Sequence, residues 1–429
     1  MPIRPKLRLA LCAGAAVLTT ATTANAVPAA AAPAPSATTP AELRAAMDAV
    51  HRAGVPGVYG EVRADGRTWR GASGVADTAT GRPVSPDLRH RVGSITKTFT
   101  AVAVMQQVER GRIRLDAPIG DHLPDLVPGE RGRKITVRML LNHTSGLPDY
   151  IEYAFPSLRS GSPASLDDNR FRRFRPAELI ELGLAAPPAG EPGGPTGVYS
   201  NTNYLLLGEL LERVTGTPAQ EYITRNVIRR AGLRHTAFPS GPAIEGPHSR
   251  MYEAAFGLLD PPRDYSVYDM SFAGTGAALV STMADLNRFY GRLLDGGIVS
   301  RASLEQMQRT VPVRHLDGKT IRYGLGLHEV TVPGCGTFWG HDGSAWGAGT
   351  ISLTRADGRR QMSVAVNLQR WTAPDPTGSR PPHAIDTALK ALYDEAMCDG
   401  TNTEPTNTEP TNTEPTNTEA TNTDGHRTP

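Results

Sequence analysis

The 429-residue sequence predicts an α+β fold, with one antiparallel sheet built from both chain ends, flanked by helices, and an inserted, mainly helical lobe. Three observations predict it. The first is a helix pattern followed by a hairpin pattern near the start. The second is the mirror order, hairpin then helix, near the end. The third is a central stretch of helical patches separated by Pro/Gly-rich loops.

In chain order, Arg4, Lys6 and Arg8 precede an apolar run from Leu9 to about Thr19, too short to span a bilayer. Ala24-Asn25-Ala26 fits a small-x-small cleavage site, so residues 1–26 are expected to be a signal peptide and the mature protein secreted. Leu11 before Cys12 is bulky where a lipidation motif needs a small residue. Residues 27–38 form an Ala/Pro linker. AELRAAMDAVHRA (41–53) reads as an amphipathic helix ending at Gly54. VYGEVRADGRTWRGASG follows, alternating around Asp65-Gly66, a hairpin signal. The chain from 112 to 275 is read as the helical lobe, with loops such as AAPPAGEPGGPTG (185–197). GAGTISLTRADGRRQMSVAVNL repeats the hairpin pattern around Asp357-Gly358, and a helix over about 383–397 aligns Ile385, Ala388, Leu389, Leu392 and Ala396. The α/β lobe is therefore expected over 39–111 and 276–398. Residues 399–429, with their TNTEP repeats, lack apolar residues and are expected to be a disordered tail.

The net charge of +2 gives no argument for nucleic acid or an anionic membrane. No run of transmembrane length follows the leader, so stable membrane insertion is not expected. Cleavage leaves Cys335 and Cys398; in an oxidising compartment an even count suggests a disulfide, the alternative being two buried thiols.

RVGSITKTFT (91–100) holds Ser94 three residues before Lys97. Random placement of the serines and lysines gives roughly 0.24 such S-x-x-K matches, so the motif alone is weak. Its context adds more. ITKTFTAVAVMQQVERG reads as a helix with one apolar side, which puts Ser94 at the helix N-terminus and Lys97 one turn further in. A buried lysine loses its proton readily and can activate a serine. The bland alternative is a capping serine with a snorkelling lysine. In GVYSNTNYLLLGELLERVTG (197–216), the Tyr199 phenol can relay a proton and the Asn201 amide can hold a substrate carbonyl. In FWGHDGSAWGAGTISL (338–353), His341-Asp342-Gly343 lies on a presumed strand. Gly343 would let a substrate backbone lie close, and the N–H groups of Ser94 and Ser344 would form an oxyanion hole. Each short pattern alone reads equally well as a core tyrosine, a satisfied histidine or a turn glycine.

Together and in this order they resemble the S-x-x-K, Y-x-N, H-x-G set of the serine beta-lactamase/penicillin-binding family, most like secreted D-alanyl-D-alanine carboxypeptidases and class C beta-lactamases. LLNHTSGLPDY (140–150), ALVSTMADLNRF (278–289) and YGLGL (323–327) support the resemblance, which covers about residues 40–398, and the two cysteines also look like those carboxypeptidases. The resemblance implies a beta-lactamase/DD-peptidase-like fold, no cofactor and acyl-enzyme catalysis. Ser94 would attack, Lys97 and Tyr199 would move protons, and His341 would tune the field. It implies a D-alanyl-D-alanine carboxypeptidase-like, penicillin-binding hydrolase, the alternatives being an esterase, a D-aminopeptidase/amidase or a beta-lactamase of the same family, acting on a peptidoglycan stem peptide or a small ester, amide or beta-lactam contacted by Asn201, Phe272, His328, Asp342, Gly343 and Ser344; a monomer is expected. Two positions depart from the carboxypeptidase pattern. Asp342 replaces the usual Thr or Ser, and His328 replaces an arginine that grips a terminal carboxylate. Both changes are expected to disfavour a carboxylate and favour esters, amides or amine-bearing D-peptides, the alternative being that Asp342 points away or that another arginine substitutes. No G-x-S-x-G, H-E-x-x-H, C-x-x-C or P-loop occurs. The rival of another class is a non-catalytic binder of peptidoglycan peptides or beta-lactams.

Overall fold

A computed structural model describes residues 39–375 and 381–398. The leader, the linker and the TNTEP repeats lie outside the described residues.

The N-terminal helix α1 (Pro40–Arg52) starts at a capping box between Thr39 and Glu42, with proline in the first turn. Strands β1 (Gly57–Ala64) and β2 (Arg67–Asp77) pair with Ala64 opposite Arg67. The two turn residues, Asp65 (φ 50°) and Gly66 (φ 76°), are both left-handed, the backbone a two-residue hairpin needs. Among the described residues, ten strands join one sheet. Its further members are β3 (Arg82–Pro83), β4 (Gly197–Val198), β5 (Val311–Arg314), β6 (Thr320–Tyr323), β7 (His328–Val332), β8 (Gly336–Ala345), β9 (Ala348–Arg355) and β10 (Arg360–Val366), in the order β3-β2-β1-β10-β9-β8-β7-β6-β5-β4. The β1–β10 pairing, Val58 opposite Val366, joins the two chain ends. The one unexpected member is β4, which comes from the middle of the chain and pairs parallel to β5.

Other helices used below are α2 (Thr96–Glu109), α3 (Asn201–Thr215), α4 (Met283–Leu294) and α5 (Ala384–Met397). Leu43, Met47 and Val50 of α1 and Leu389, Leu392 and Ala396 of α5 cover one sheet face, against Val58, Val62, Val364 and Val366. The larger core covers the opposite face and holds α2, α3 and α4. Here one expectation fails. Helix α2 has no polar side: every residue from Thr96 to Gln107 is buried. Its threonines are accommodated by hydrogen bonds, Thr98 Oγ1 to Gly326 O (2.8 Å) and Thr100 Oγ1 to Thr275 O (2.7 Å). Phe99 stacks on Phe289 of α4 at 3.7 Å. Burial on all sides fixes the helix that carries the lysine. Cys335 and Cys398 form a disulfide that ties the end of α5 to the β7–β8 turn. Among the described residues, no helix is long and apolar enough to cross a membrane.

Candidate active site

Ser94 sits in a short 3₁₀ turn, Gly93–Ile95, that runs directly into α2. Gly93 has φ 52°, and a Cβ there would stand 2.4 Å from the Ser344 nitrogen. A Cβ on Gly343 would meet Val92 O at 1.9 Å and Ser94 N at 3.0 Å. Two glycines therefore let the β8 backbone touch the Ser94 turn. This corrects the reading of Gly343: its missing side chain admits the protein's own backbone rather than a substrate's.

Lys97 is fully buried, so the snorkelling alternative fails. Its Nζ donates to Ser94 Oγ (3.0 Å), Asn201 Oδ1 (2.7 Å) and Gly276 O (3.2 Å). Burial lowers the lysine pKa to about 7, with Asp149 and Asp342 pulling the other way. Asn201 opens α3, and its Nδ2 donates to Asp149 Oδ2 at 2.6 Å. Both ends of the amide are thus engaged inside the protein, leaving one amide hydrogen for a substrate carbonyl. Burial raises the Asp149 carboxyl, against hydrogen bonds from Ile151 and Asn201.

Tyr199, just before α3, is buried, with Lys97 Nζ 4.9 Å from its ring centre. Burial pushes its phenol well above the ordinary range, and Ser94, the hydroxyl facing it, opposes that shift at a geometry looser than a full hydrogen bond. His143 stacks on the Tyr199 ring at 4.2 Å and accepts from the Ser200 N–H at 3.2 Å. His341 is buried on β8, with Nε2 3.0 Å from Tyr323 Oη and Nδ1 against the Asp342 carbonyl. Burial holds His341 neutral, far below the usual histidine range, and lowers His328 to about 4 against the pull of Asp342. Asp342 Oδ1 lies 3.2 Å from His328 Nδ1, and its side chain remains 45% exposed. Ser344 donates its hydroxyl to Gln369 Oε1 at 3.2 Å.

A pocket of ≈ 130 Å³ joins these groups, lined by Ser94, Asn201, Asp342 and Ser344 together with Phe272 and Trp346. Phe272 and Trp346 are stacked, with ring centres 5.6 Å apart. The structure thus brings Ser94, Lys97, Asn201, Asp342, Ser344 and Phe272 together, with Tyr199 beside them. His328 stands further out, lining an adjoining groove with Asp342.

Several contributors went unread in the sequence. His143 and Asp149 lie inside LLNHTSGLPDY, a stretch noticed without roles for its residues. Arg91 is buried three positions before Ser94 and donates to the carbonyls of Pro242, Tyr265, Ser266 and Tyr268, fixing the segment that leads to Phe272. His315, Trp346 and Arg370 line the pocket with no motif to mark them. Arg370 sits over Trp346 and is paired with buried Glu253 at 2.5 Å.

A family model described as Beta-lactamase matches residues 41–388. Penicillin-binding protein 4* of Bacillus subtilis (strain 168) is 26% identical over 354 residues, 75% of this chain and 74% of that protein. A D-aminopeptidase of Cereibacter sphaeroides is 27% identical over 316 residues, 73% of this chain and 56% of its own. Among solved structures, a D-stereospecific amidohydrolase from Streptomyces sp. superposes with a TM-score of 0.72 at 32% identity, covering 84% of this chain and 99% of that one.

Proposed function

Because the chain belongs to the Beta-lactamase family of serine hydrolases, we propose that it hydrolyses amide or ester bonds of D-configured aminoacyl substrates that carry a free ammonium group. One observation carries this reading: the carboxylate of Asp342 is the pocket charge without a cationic partner. Its neighbour His328 is neutral, and the pocket's arginine, Arg370, is neutralised by Glu253. Such a pocket attracts a cation and repels a terminal carboxylate. The names of the D-stereospecific amidohydrolase and the D-aminopeptidase support the same choice of stereochemistry and bond.

In this reading Ser94 Oγ attacks the substrate carbonyl and its proton passes to Lys97. The N–H groups of Ser94 and Ser344 receive the oxyanion where β8 touches the Ser94 turn. Tyr199 and Lys97 return a proton to the leaving amine or alkoxide, the tetrahedral adduct collapses to the acyl-enzyme, and water releases the acyl group. Phe272 and Trp346 offer an apolar wall to the acyl side chain. The second reading, a D-alanyl-D-alanine carboxypeptidase that binds penicillin, is supported by the match to penicillin-binding protein 4*, but lacks an unpaired cation in this pocket for the carboxylate.

Four substrates separate the readings: D-phenylalanine amide, its N-acetyl derivative, an acyl-D-Ala-D-Ala acid and the C-terminal amide of that peptide. A charge-assisted contact predicts that the free amine is preferred over its acetylated form by about 10- to 100-fold, and that Asp342→Asn erases the preference. Turnover of the free acid alone would establish the carboxypeptidase reading instead. Failure of both a fluorophosphonate and a fluorescent penicillin to label Ser94 would leave a non-catalytic binder.

A further inference from the structure

We propose that His328, His341 and Asp342 form a binding site for one divalent transition-metal ion of the zinc class, and that its occupation reversibly stops the chemistry of Ser94. This goes beyond the substrate assignment and does not depend on it. The three residues each offer one donor atom, all within 4.8 Å of one another. Asp342 Oδ1 is 3.2 Å from His328 Nδ1 and 3.7 Å from His341 Nδ1. Zinc bonds of roughly 2.0–2.2 Å at tetrahedral angles need donors about 3.3–3.5 Å apart, so small side-chain adjustments suffice. Two imidazoles and one carboxylate suit zinc or cobalt, with a fourth position left for water.

A further observation points to a ligand here. Tyr323 Oη holds His341 Nε2 at 3.0 Å, the outer-shell contact that fixes the ring of a metal-bound histidine. Access exists as well, because His328 and half-exposed Asp342 line an open groove of ≈ 530 Å³. Binding exchanges contacts already present. At His341 the metal takes Nδ1 in place of the Asp342 carbonyl. The ring then carries its proton on Nε2 and donates to Tyr323, which turns its own hydrogen toward Tyr204 Oη, 3.4 Å away. Because His341 Nδ1 gives up the Asp342 carbonyl to the ion, β8 shifts where it touches the Ser94 turn and carries the Ser344 N–H with it. Sequence reading for H-E-x-x-H and C-x-x-C cannot find such a site, because its ligands come from two strands paired across the sheet.

The test uses the full chain, stripped with a chelator and titrated with Co²⁺ by visible absorption, then with competing Zn²⁺. Fluorophosphonate labelling of Ser94 is followed in parallel. We expect one Co²⁺ per chain with a four-coordinate spectrum, displacement by Zn²⁺, loss of labelling at saturation and its return on chelation. His328→Gln and Asp342→Asn should each weaken Co²⁺ binding at least ~10-fold, since even outer-shell changes cost that much. His315→Gln, in the same groove but outside the triad, should bind normally. If His328→Gln does not melt as a folded protein, Asp342→Asn carries the comparison alone. Absence of a saturable spectrum, or unchanged affinity in the ligand variants, overturns the site. Binding with undiminished labelling overturns the inhibition.

Discussion

In the proposed reaction, Lys97 sets the pH behaviour of the site. It is held 3.0 Å from Ser94 Oγ, and burial lowers its pKa to about 7. Below that pH it is an ammonium and cannot take the serine proton; above it the amine is free. The kcat/KM for an uncharged ester should therefore rise as pH passes upward through about 7 and level off, falling about tenfold per unit on the acid side. Lys97→Met should lower that plateau by about 10²–10⁴ with the fold retained, because methionine suits the buried position. A flat profile from pH 5 to 9 would remove Lys97 from proton transfer. At this scale the sequence was legible where a motif is short. Ser94 and Lys97 share one helical turn, so their contact follows from spacing. Asn201 and Asp149 do not. Their 2.6 Å contact spans 52 residues, and no local pattern marks it. Asp342 was legible as a departure, yet its pairing with His328 needed the register of β7 on β8.

Among the elements, the contact between β8 and the Ser94 turn governs the geometry of the proposed acylation. Gly343→Ala places a methyl group where Val92 O stands at 1.9 Å, and backbone cannot yield as a side-chain tip can. The strand must move away from Ser94, carrying the Ser344 N–H with it. A displacement near 1 Å costs about 10²-fold in rate. Gly343→Ala should therefore lose about two orders of magnitude in fluorophosphonate labelling while its far-UV circular dichroism stays native; unchanged labelling would show that the contact is dispensable. Both hairpins and both terminal helices were legible because their signals are local: Asp-Gly turns, a capping threonine and a 3.6-residue apolar spacing. The one-sided reading of α2 failed because threonine and glutamine look polar in a sequence. Here carbonyls and hydroxyls of distant segments satisfy them in the core. The parallel strand β4 was illegible for a similar reason: two residues carry no periodicity, and their place depends on β5, more than a hundred residues away.

Across the whole molecule, the first and last long strands pair inside the sheet, so the C-terminal segment completes the fold rather than decorating it. Helix α5 packs beside α1, buried Arg360 donates to Ala396 O (3.1 Å) and Cys398 O (2.7 Å), and the disulfide closes a segment of 63 residues. A loop of that length removes roughly 4 kcal/mol of chain entropy from the unfolded state, and measured losses for native bridges run at about 2–5 kcal/mol. The bridge stands at the opposite end of β8 from Ser344, nine residues or roughly 30 Å along the strand. Stability and catalysis should therefore separate. The double variant Cys335→Ser, Cys398→Ser should lose about 2–5 kcal/mol in urea unfolding, yet label Ser94 within about twofold of the parent under conditions where both are folded. If labelling falls in step with stability, the far end of the β7–β8 hairpin is helping to hold Ser344 against the Ser94 turn. The site would then depend on the covalent closure of the sheet as well as on its local packing.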